Sequence, residues 1–128
     1  MHSFNSAQAM HINRMIFGST RNIGNPTIIL VPGAWHKAEL YAPLLNSLTR
    51  IRFPVVAPSL PSVGGTSDNF DDDVRLIREA IAAEVLEGHD IIVVMHSYGG
   101  MVGSAAVKGY SEQELGGGAR CDLSLIHI

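Results

Sequence analysis

Three short apolar runs, rich in β-branched residues, recur along the chain between segments of mixed polarity. They span residues 27–31, 53–57 and 90–95, and each ends at a turn that contains proline, glycine or serine. None of the three alternates polar with apolar positions, which indicates strands that are buried on both faces. Such strands are typical of a parallel sheet that is covered by helices.

Two amphipathic patterns lie between these predicted strands. Over residues 38–50, the apolar side chains that share one helical face are Tyr41, Leu44, Leu45 and Leu48, with Pro43 in the first turn. Over residues 71–87, the corresponding side chains are Val74, Ile77, Ile81 and Val85. The acidic triplet 71–73 suits the positive end of the helix macrodipole, and Gly88 is expected to cap the other end. Three adjacent carboxylates on a helix cannot face one ion, so the triplet does not predict a metal site.

The predicted order is strand, helix, strand, helix, strand and helix. This order indicates an α/β fold with right-handed crossovers, namely a three-layer α/β/α sandwich around a mainly parallel sheet. Ligands bind such sheets beyond the C-terminal ends of the strands. Two predicted turns occupy that position, at residues 32–37 and 96–100.

Composition excludes several classes of protein. The 128 residues are 46% hydrophobic and 16% charged, with a net charge of −3 and no basic stripe, so a nucleic-acid partner is not expected. The apolar runs are far shorter than the roughly 18 residues of a membrane span. The single cysteine, Cys121, excludes an internal disulfide framework, and no histidine pair has metal-ligand spacing. With no signal-peptide pattern, we expect a soluble cytoplasmic protein without metal or cofactor.

The two ends of the chain differ from its centre. Residues 1–25 show no sustained period and are expected to be a disordered extension before a domain at residues 26–120. Residues 121–128 are expected to be a non-native or disordered tail, because the terminal Leu-Ser-Leu-Ile-His-Ile resembles the translated end of a sequencing-library transposon adaptor. The alternative interpretation makes these apolar, β-prone residues the next strand of the sheet.

The turn after the third predicted strand carries the clearest chemical signal. Ser97 lies between a strand and a helix, where a sharp bend exposes the hydroxyl and directs the N-terminus of the following helix toward it. Gly99, Gly100 and Gly103 would allow the close approach of helix and strand that this bend requires. A phosphate-binding turn is a poor alternative, because the glycines do not have dinucleotide-motif spacing and no Gly-Lys-Ser/Thr sequence is present.

The turn at residues 32–36 complements this serine. A tetrahedral oxyanion needs two backbone N–H donors, one from the residue after the nucleophile and one from a loop after a neighbouring strand. Tyr98 and Ala34 are in register to supply them. The Trp35 side chain is expected to pack over the first helix, while His36 could line a pocket or be exposed to solvent.

Residues 27–110 resemble the N-terminal half of the α/β-hydrolase fold, most closely the branch with small methyl esterases and hydroxynitrile lyases. The segments that carry the resemblance are residues 29–36, 57–65 and 93–100. The resemblance implies that Ser97 is the nucleophile and that the Ala34 and Tyr98 amides form the oxyanion hole. The residues expected to contact a small-molecule substrate are Gly33, Trp35, His36 and His96. Two positions depart from the family pattern, because Met95 replaces a small residue and Pro32 replaces a histidine.

The catalytic acid and base are not visible in this chain. In this fold they follow the nucleophile, yet Asp122 and His127 are too close to the serine's own helix to be these residues. The expected function is therefore a serine esterase acting on a small ester or related carbonyl compound, present as an N-terminal fragment that is inactive alone. A non-hydrolytic binding module or receptor, which Met95 favours, and a lyase remain alternatives, and the oligomeric state is open.

Overall fold

The computed structural model describes residues 14–17, 24–110 and 122–128. In chain order its elements are β1 (Arg14–Phe17), β2 (Thr27–Val31), a 3-10 helix (Ala38–Tyr41), α1 (Ala42–Arg50), β3 (Val55–Pro58), α2 (Pro61–Gly64), α3 (Phe70–Leu86), β4 (Ile91–Met95), α4 (Tyr98–Ala106) and β5 (Leu123–His127). The three predicted strands and the three predicted helices are all present, the helices as α1, α3 and α4. The one-turn helix α2 was not predicted from the sequence.

The strands form one five-stranded sheet in the order β1-β3-β2-β4-β5. Strand β2 pairs in parallel with both β3 and β4, and β4 pairs in parallel with β5. Strand β1 is antiparallel to β3 at one edge. The mainly parallel sheet with helices on both faces confirms the predicted α/β fold class.

Alternate residues of the strands point into two separate cores. On one face, side chains such as Ile29 and Met95 pack with buried residues of α3 and α4, including Ile77 and Val102. On the other face, residues such as Leu30 pack with Ala38 of the 3-10 helix and Leu45 of α1. Burial of these apolar surfaces stabilises the three layers.

The second face is only partly covered at β4. Ile92 and Val94 are half-buried, whereas their neighbours on the other face of the strand are buried. They line an apolar groove of about 250 Å³ together with Leu44, Phe53 and Ile126. The prediction that both faces of this strand are fully buried is therefore wrong for the groove side.

Helix α3 has the ends that its sequence predicts. The Asn69 side chain accepts a hydrogen bond from the Asp71 N–H, which caps the N-terminus. Gly88 has a φ of 74°, and its N–H donates to the Val85 carbonyl at 3.0 Å. A left-handed glycine is the common termination of a helix, so the predicted C-terminal cap is confirmed.

The two ends of the chain contribute edge strands. Strand β1 lies within the segment expected to be disordered, so Arg14–Phe17 departs from that expectation. At the other end, Leu123–His127 pairs with β4 as a strand instead of forming a disordered tail, because its β-prone residues extend the open edge of the sheet. The non-native origin of this segment stays a prediction. Residues 1–13 and 18–23 of the extension and Cys121 lie outside the described residues.

Within the described ranges, no helix is long and apolar enough to cross a membrane.

Candidate active site

The two turns with predicted chemistry meet at the C-terminal ends of the adjacent strands β2 and β4. Strands β2 and β4 are adjacent and parallel, and their last residues, Val31 and Met95, are paired in register. The His96 N–H donates to the Val31 carbonyl at 3.1 Å, which extends this pairing into the turns. The segment that starts at Pro32 and the segment that contains Ser97 therefore leave the sheet side by side.

Ser97 has the backbone conformation of a sharp strand-to-helix bend. Its φ is 53° and its ψ is −121°, its side chain is exposed, and α4 begins at the next residue. Such a conformation costs a non-glycine residue about 1–3 kcal/mol. The bend is closed by two hydrogen bonds of 2.8 Å, from Gly99 N–H to the His96 carbonyl and from Gly100 N–H to the Ser97 carbonyl. The hydroxyl is accessible at the positive end of a helix.

Gly99 allows α4 to begin directly against the end of β2. A Cβ atom at this position would overlap the Val31 carbonyl and would lie 2.6 Å from the Pro32 carbonyl oxygen. Both neighbours are backbone atoms, so they cannot rotate away as a side chain could. The sequence therefore needs glycine here to bring the two turns together.

Gly103 explains how the chain accommodates Met95 beneath the bend. A Cβ atom at Gly103 would lie 2.5 Å from Met95 Sδ and 2.8 Å from Met95 Cγ. The Met95 side chain is fully buried in the core under α4. The bulky residue before the bend thus uses the space left by a glycine one turn into the helix, and it does not disturb the Ser97 backbone.

The predicted oxyanion donors lie on the two adjacent turns. Ala34 follows Gly33 in the first turn, which is closed by a 3.2 Å hydrogen bond from the His36 N–H to the Gly33 carbonyl. Tyr98 is the first residue of α4. Among the described residues, neither the Ala34 N–H nor the Tyr98 N–H donates to a backbone carbonyl. Donors without internal acceptors are suited to binding an anionic oxygen.

Tyr41 joins the two turns, a role that the sequence did not suggest. Its hydroxyl oxygen accepts from the Gly33 N–H at 3.0 Å and lies 2.6 Å from His96 Nδ1. The His36 ring contacts both the Tyr41 and the His96 rings, with centroids 6.2 and 5.8 Å apart. The sequence had placed Tyr41 on the apolar face of a helix, and only its polar atom distinguished it from the leucines there.

Trp35 differs from its predicted packing. Its side chain is 89% exposed, and its φ of 61° turns it away from the first helix. The expectation that it packs over that helix is therefore wrong. His36, which follows β2 in the same turn, is also exposed.

A buried carboxylate fixes the side chain of Tyr98. Asp73 is fully buried, and it accepts hydrogen bonds from the Tyr98 hydroxyl at 2.6 Å, the Ser62 hydroxyl at 2.6 Å and the Ser62 N–H at 3.0 Å. Burial, followed by the hydrogen bond and the negative charge of Asp73, raises the pKa of Tyr98 from 10.0 to about 12. The carboxylate therefore links α2 and α3 to the residue that follows Ser97.

The acidic triplet of α3 thus divides into different roles. Asp72 pairs with Arg75 at 3.2 Å and accepts from the Ser67 hydroxyl, so it lies at the surface near the helix end as predicted. Asp73, in contrast, points into the protein. Its helical phase, four residues before the buried Ile77, was the signal in the sequence that could have separated it from its neighbours.

No acid–base pair accompanies Ser97 in the described part of the chain. Asp122 precedes β5 and its N–H donates to Asp90 Oδ1 at 3.0 Å, at the opposite end of the sheet from Ser97. His127 lies at the correct end, and its ring is next to Gly100, where a Cβ atom would be 3.1 Å from Nδ1.

Sequence comparison assigns the chain to a family. Residues 28–125 match the model of the alpha/beta hydrolase family, and this range includes both turns and all three parallel strand pairs. The chain therefore belongs to the alpha/beta hydrolase family.

Several curated relatives are similar over part of their length. Alpha/beta hydrolase nvfD of Aspergillus novofumigatus is 36% identical over 105 residues, which cover 80% of this chain and 42% of the relative. Probable hydrolase R7 of a Phoma species is 30% identical over 70% of this chain and 38% of its own length. A carbendazim hydrolyzing esterase of a Nocardioides species is 35% identical over 58% of this chain and 32% of its own length. The chain thus spans about a third to two fifths of the length of these relatives. In the experiments below, the full-length protein is the longer protein of which we propose this chain to be the N-terminal part.

Exchange of Gly103 for alanine is expected to destabilise the full-length protein by about 1–3 kcal/mol, because the new methyl group overlaps Met95 Sδ. The double variant Gly103→Ala/Met95→Ala removes the overlapping side chain and should recover part of this loss relative to the sum of the two single variants. Urea denaturation of the four proteins measures the coupling. Strictly additive effects would contradict the contact between residues 95 and 103.

Tyr98 is expected to make the fold sensitive to alkaline pH. Its pKa is about 12 in the fold and ordinarily 10.0, so the folded state retains a proton that the unfolded state loses. The resulting stability is complete below about pH 10 and is lost as the pH rises toward about 12. Urea denaturation at about pH 9 and about pH 11 should show a smaller decline for Tyr98→Phe than for wild type, whereas Tyr110→Phe should decline like wild type. An equal decline in all three proteins would contradict the prediction.

Proposed function

We propose that the full-length protein is a serine hydrolase that cleaves a small ester or related carbonyl compound, with Ser97 as its nucleophile. In this proposal the Ser97 Oγ attacks the carbonyl carbon, and the backbone N–H groups of Ala34 and Tyr98 bind the oxygen that becomes negatively charged. The proton of the hydroxyl is accepted by a histidine outside this chain, and that histidine is oriented by an acid that is also outside it.

The observation that carries the proposal is the strained, exposed conformation of Ser97. A φ of 53° at a serine persists only where the surrounding structure enforces it, and here Gly99 and the paired ends of β2 and β4 do so. A serine that only reversed the chain would not need this conformation. The adjacent Ala34 turn follows the neighbouring strand and supports the same reaction, because it supplies a second N–H donor, besides that of Tyr98, at the C-terminal ends of the strands.

The relatives support hydrolysis of an ester. One of them is named as an esterase and two others as hydrolases. We extend the assignment to the branch with small methyl esterases, on the strength of residues 29–36, 57–65 and 93–100. The substrate is then a small molecule that contacts Gly33, Trp35, His36 and His96 beside the nucleophile.

The alternative of a non-hydrolytic binding module rested on Met95. Because Gly103 provides the space for this side chain, Met95 is compatible with an intact bend and no longer favours loss of catalysis. A lyase would use the same scaffold, but no described residue favours it over a hydrolase. We therefore propose hydrolysis.

A fluorophosphonate probe tests the nucleophile directly, because it forms a covalent bond with an activated serine oxygen. The full-length protein should be labelled, and Ser97→Ala should lose the labelling completely. Ser104→Ala is the matched control, since Ser104 is an exposed serine on the same helix α4 and should leave labelling unchanged.

Equal labelling of wild type and Ser97→Ala would remove Ser97 from the proposed role. The absence of labelling in wild type, together with tight binding of a small carbonyl compound, would favour the binding module instead. Release of hydrogen cyanide or another carbon fragment from a substrate, without water entering the product, would favour a lyase.

A further inference from the structure

Tyr41 is the last residue of the 3-10 helix, and its hydroxyl lies between the two turns of the candidate active site. The hydroxyl oxygen is 3.0 Å from the Gly33 nitrogen and 2.6 Å from His96 Nδ1. Gly33 directly precedes Ala34, and His96 directly precedes Ser97. One side chain from outside both turns therefore binds the residue before the proposed donor Ala34 and the residue before the proposed nucleophile Ser97.

One arrangement of protons satisfies every donor and acceptor around this hydroxyl. The Gly33 N–H can only donate, so the Tyr41 oxygen accepts from it. The phenol has one proton, and donating it to His96 Nδ1 satisfies all three groups. Nδ1 accepts only when it carries no proton, so this arrangement places the proton of neutral His96 on Nε2. In this arrangement the hydrogen bonds run from Gly33 through Tyr41 to His96.

Packing of the rings holds this hydroxyl in place. The Tyr41 and His96 rings meet edge to face, with centroids 5.7 Å apart and planes at 75°. A Cβ atom at Gly33 would lie 3.1 Å from both His36 Nδ1 and His96 Nδ1, so glycine allows the first turn to lie directly on the imidazoles. The Tyr41 side chain is half-buried, which limits competition from water for its two hydrogen bonds.

We propose that Tyr41 is a positioning residue, which fixes the Ala34 turn relative to the Ser97 turn so that the two backbone donors converge on one oxygen atom. The inference rests on the proposed function of Ser97. Tyr41 itself does not contact the reacting atoms. It acts by keeping the first turn and the second turn in one arrangement before the substrate binds.

Tyr41→Phe in the full-length protein tests this role, since it removes the hydroxyl and keeps the ring. With 4-nitrophenyl acetate as substrate, we expect kcat to fall about tenfold while KM changes by less than about twofold. We expect kcat and KM to respond differently because misplaced N–H donors stabilise the charged transition state less well than the donors of wild type. The same donors contribute little to binding of the neutral ester. Tyr110→Phe is the matched control, because Tyr110 packs against Arg78 away from both turns, and it should keep the kcat of wild type.

A spectroscopic measurement tests the hydrogen bonds without any turnover. Nitrogen-15 chemical shifts of the imidazoles distinguish the two neutral tautomers. His96 should be protonated on Nε2 in wild type and should become a mixture of tautomers in Tyr41→Phe. An unchanged His96 spectrum in Tyr41→Phe would overturn the inference, whatever the kinetics.

Two substitutions of His96 provide a second route if Tyr41→Phe does not fold. His96→Asn offers a side-chain oxygen that can accept from Tyr41, whereas His96→Leu offers no acceptor. We expect His96→Asn to keep a higher kcat than His96→Leu, and equal kcat values for the two variants would overturn the inference.

The outcomes also separate the inference from the proposed function. If Ser97→Ala abolishes hydrolysis while Tyr41→Phe keeps the kcat of wild type, only the positioning role is wrong. If Ser97→Ala keeps the activity, the proposed function is wrong and the positioning role is lost with it.

Discussion

Gly99→Ala is expected to prevent the full-length protein from folding to its native state. The added methyl group would overlap the Val31 carbonyl and lie 2.6 Å from the Pro32 carbonyl oxygen, and both are backbone atoms at the end of a central strand. Relief of the overlap requires α4 to move away from β2, which separates the helix from the core that Val102 and Ala106 share with the sheet. We expect a loss of about 4–5 kcal/mol or more, which is a large part of the stability of an ordinary domain.

Circular dichroism and urea denaturation measure this effect. Gly64→Ala is the matched control, because Gly64 is also helical, has an ordinary φ, and has no atom within 4 Å of the position of the added methyl group. It should change the free energy of unfolding by less than about 1 kcal/mol. A folded Gly99→Ala protein with the stability of wild type would show that α4 does not approach β2 as closely as described.

The 128-residue chain alone is expected to be inactive as an esterase. Without a base to accept the Ser97 proton, kcat for 4-nitrophenyl acetate should be about 10⁴-fold or more below that of the full-length protein, as for serine hydrolases that lack their histidine. The remaining activity should not depend on Ser97, because an unactivated hydroxyl is a weak nucleophile. Kinetic assays of both proteins, each with its Ser97→Ala variant as background, measure the difference.

The same chain is expected to associate with itself. The groove beside Ile92 and Val94 is apolar, and the edge strand β5 leaves Leu125, Ile126 and Ile128 exposed. Exposed edges and apolar surfaces of this kind promote association between chains. Size-exclusion chromatography should therefore show multimers. A well-behaved monomer with Ser97-dependent turnover like that of the full-length protein would contradict both expectations and the assignment of the acid and base to residues outside this chain.

The order of strands and helices followed from periodicity because each element has one dominant requirement. The apolar runs at Thr27–Val31 and Ile91–Met95 favour strands of a covered sheet, and the spacing of Ile77 and Ile81 favours a helix. Polar residues with tertiary partners were not predicted. The functions of Tyr41 and Asp73 depend on atoms 25 or more residues away, His96 and Tyr98 respectively, and local spacing does not encode these contacts.

The sequence predicted those parts of the candidate site whose backbone conformation depends on neighbouring residues in the chain. Ser97 and its glycines specify a bend through steric requirements that are visible in the sequence, and Ala34 follows a strand that periodicity already identified. The Trp35 side chain was predicted wrongly because its orientation depends on a positive φ at that residue, which its neighbours do not signal. The edge strand β5 depends on an open partner edge at β4, which the local sequence does not reveal.

The contact between Met95 and Gly103 restricts the order in which these two positions can change during evolution. A lineage that first exchanges Gly103 for alanine produces an intermediate in which two side chains overlap, whereas a lineage that first shortens Met95 produces an intermediate with only a cavity. A cavity under α4 lowers stability but leaves the serine bend undistorted, so selection on activity can retain that intermediate. Selection on activity should therefore favour the order in which Met95 is shortened first, although neither order is closed, because the overlap in the Gly103→Ala intermediate costs only about 1–3 kcal/mol.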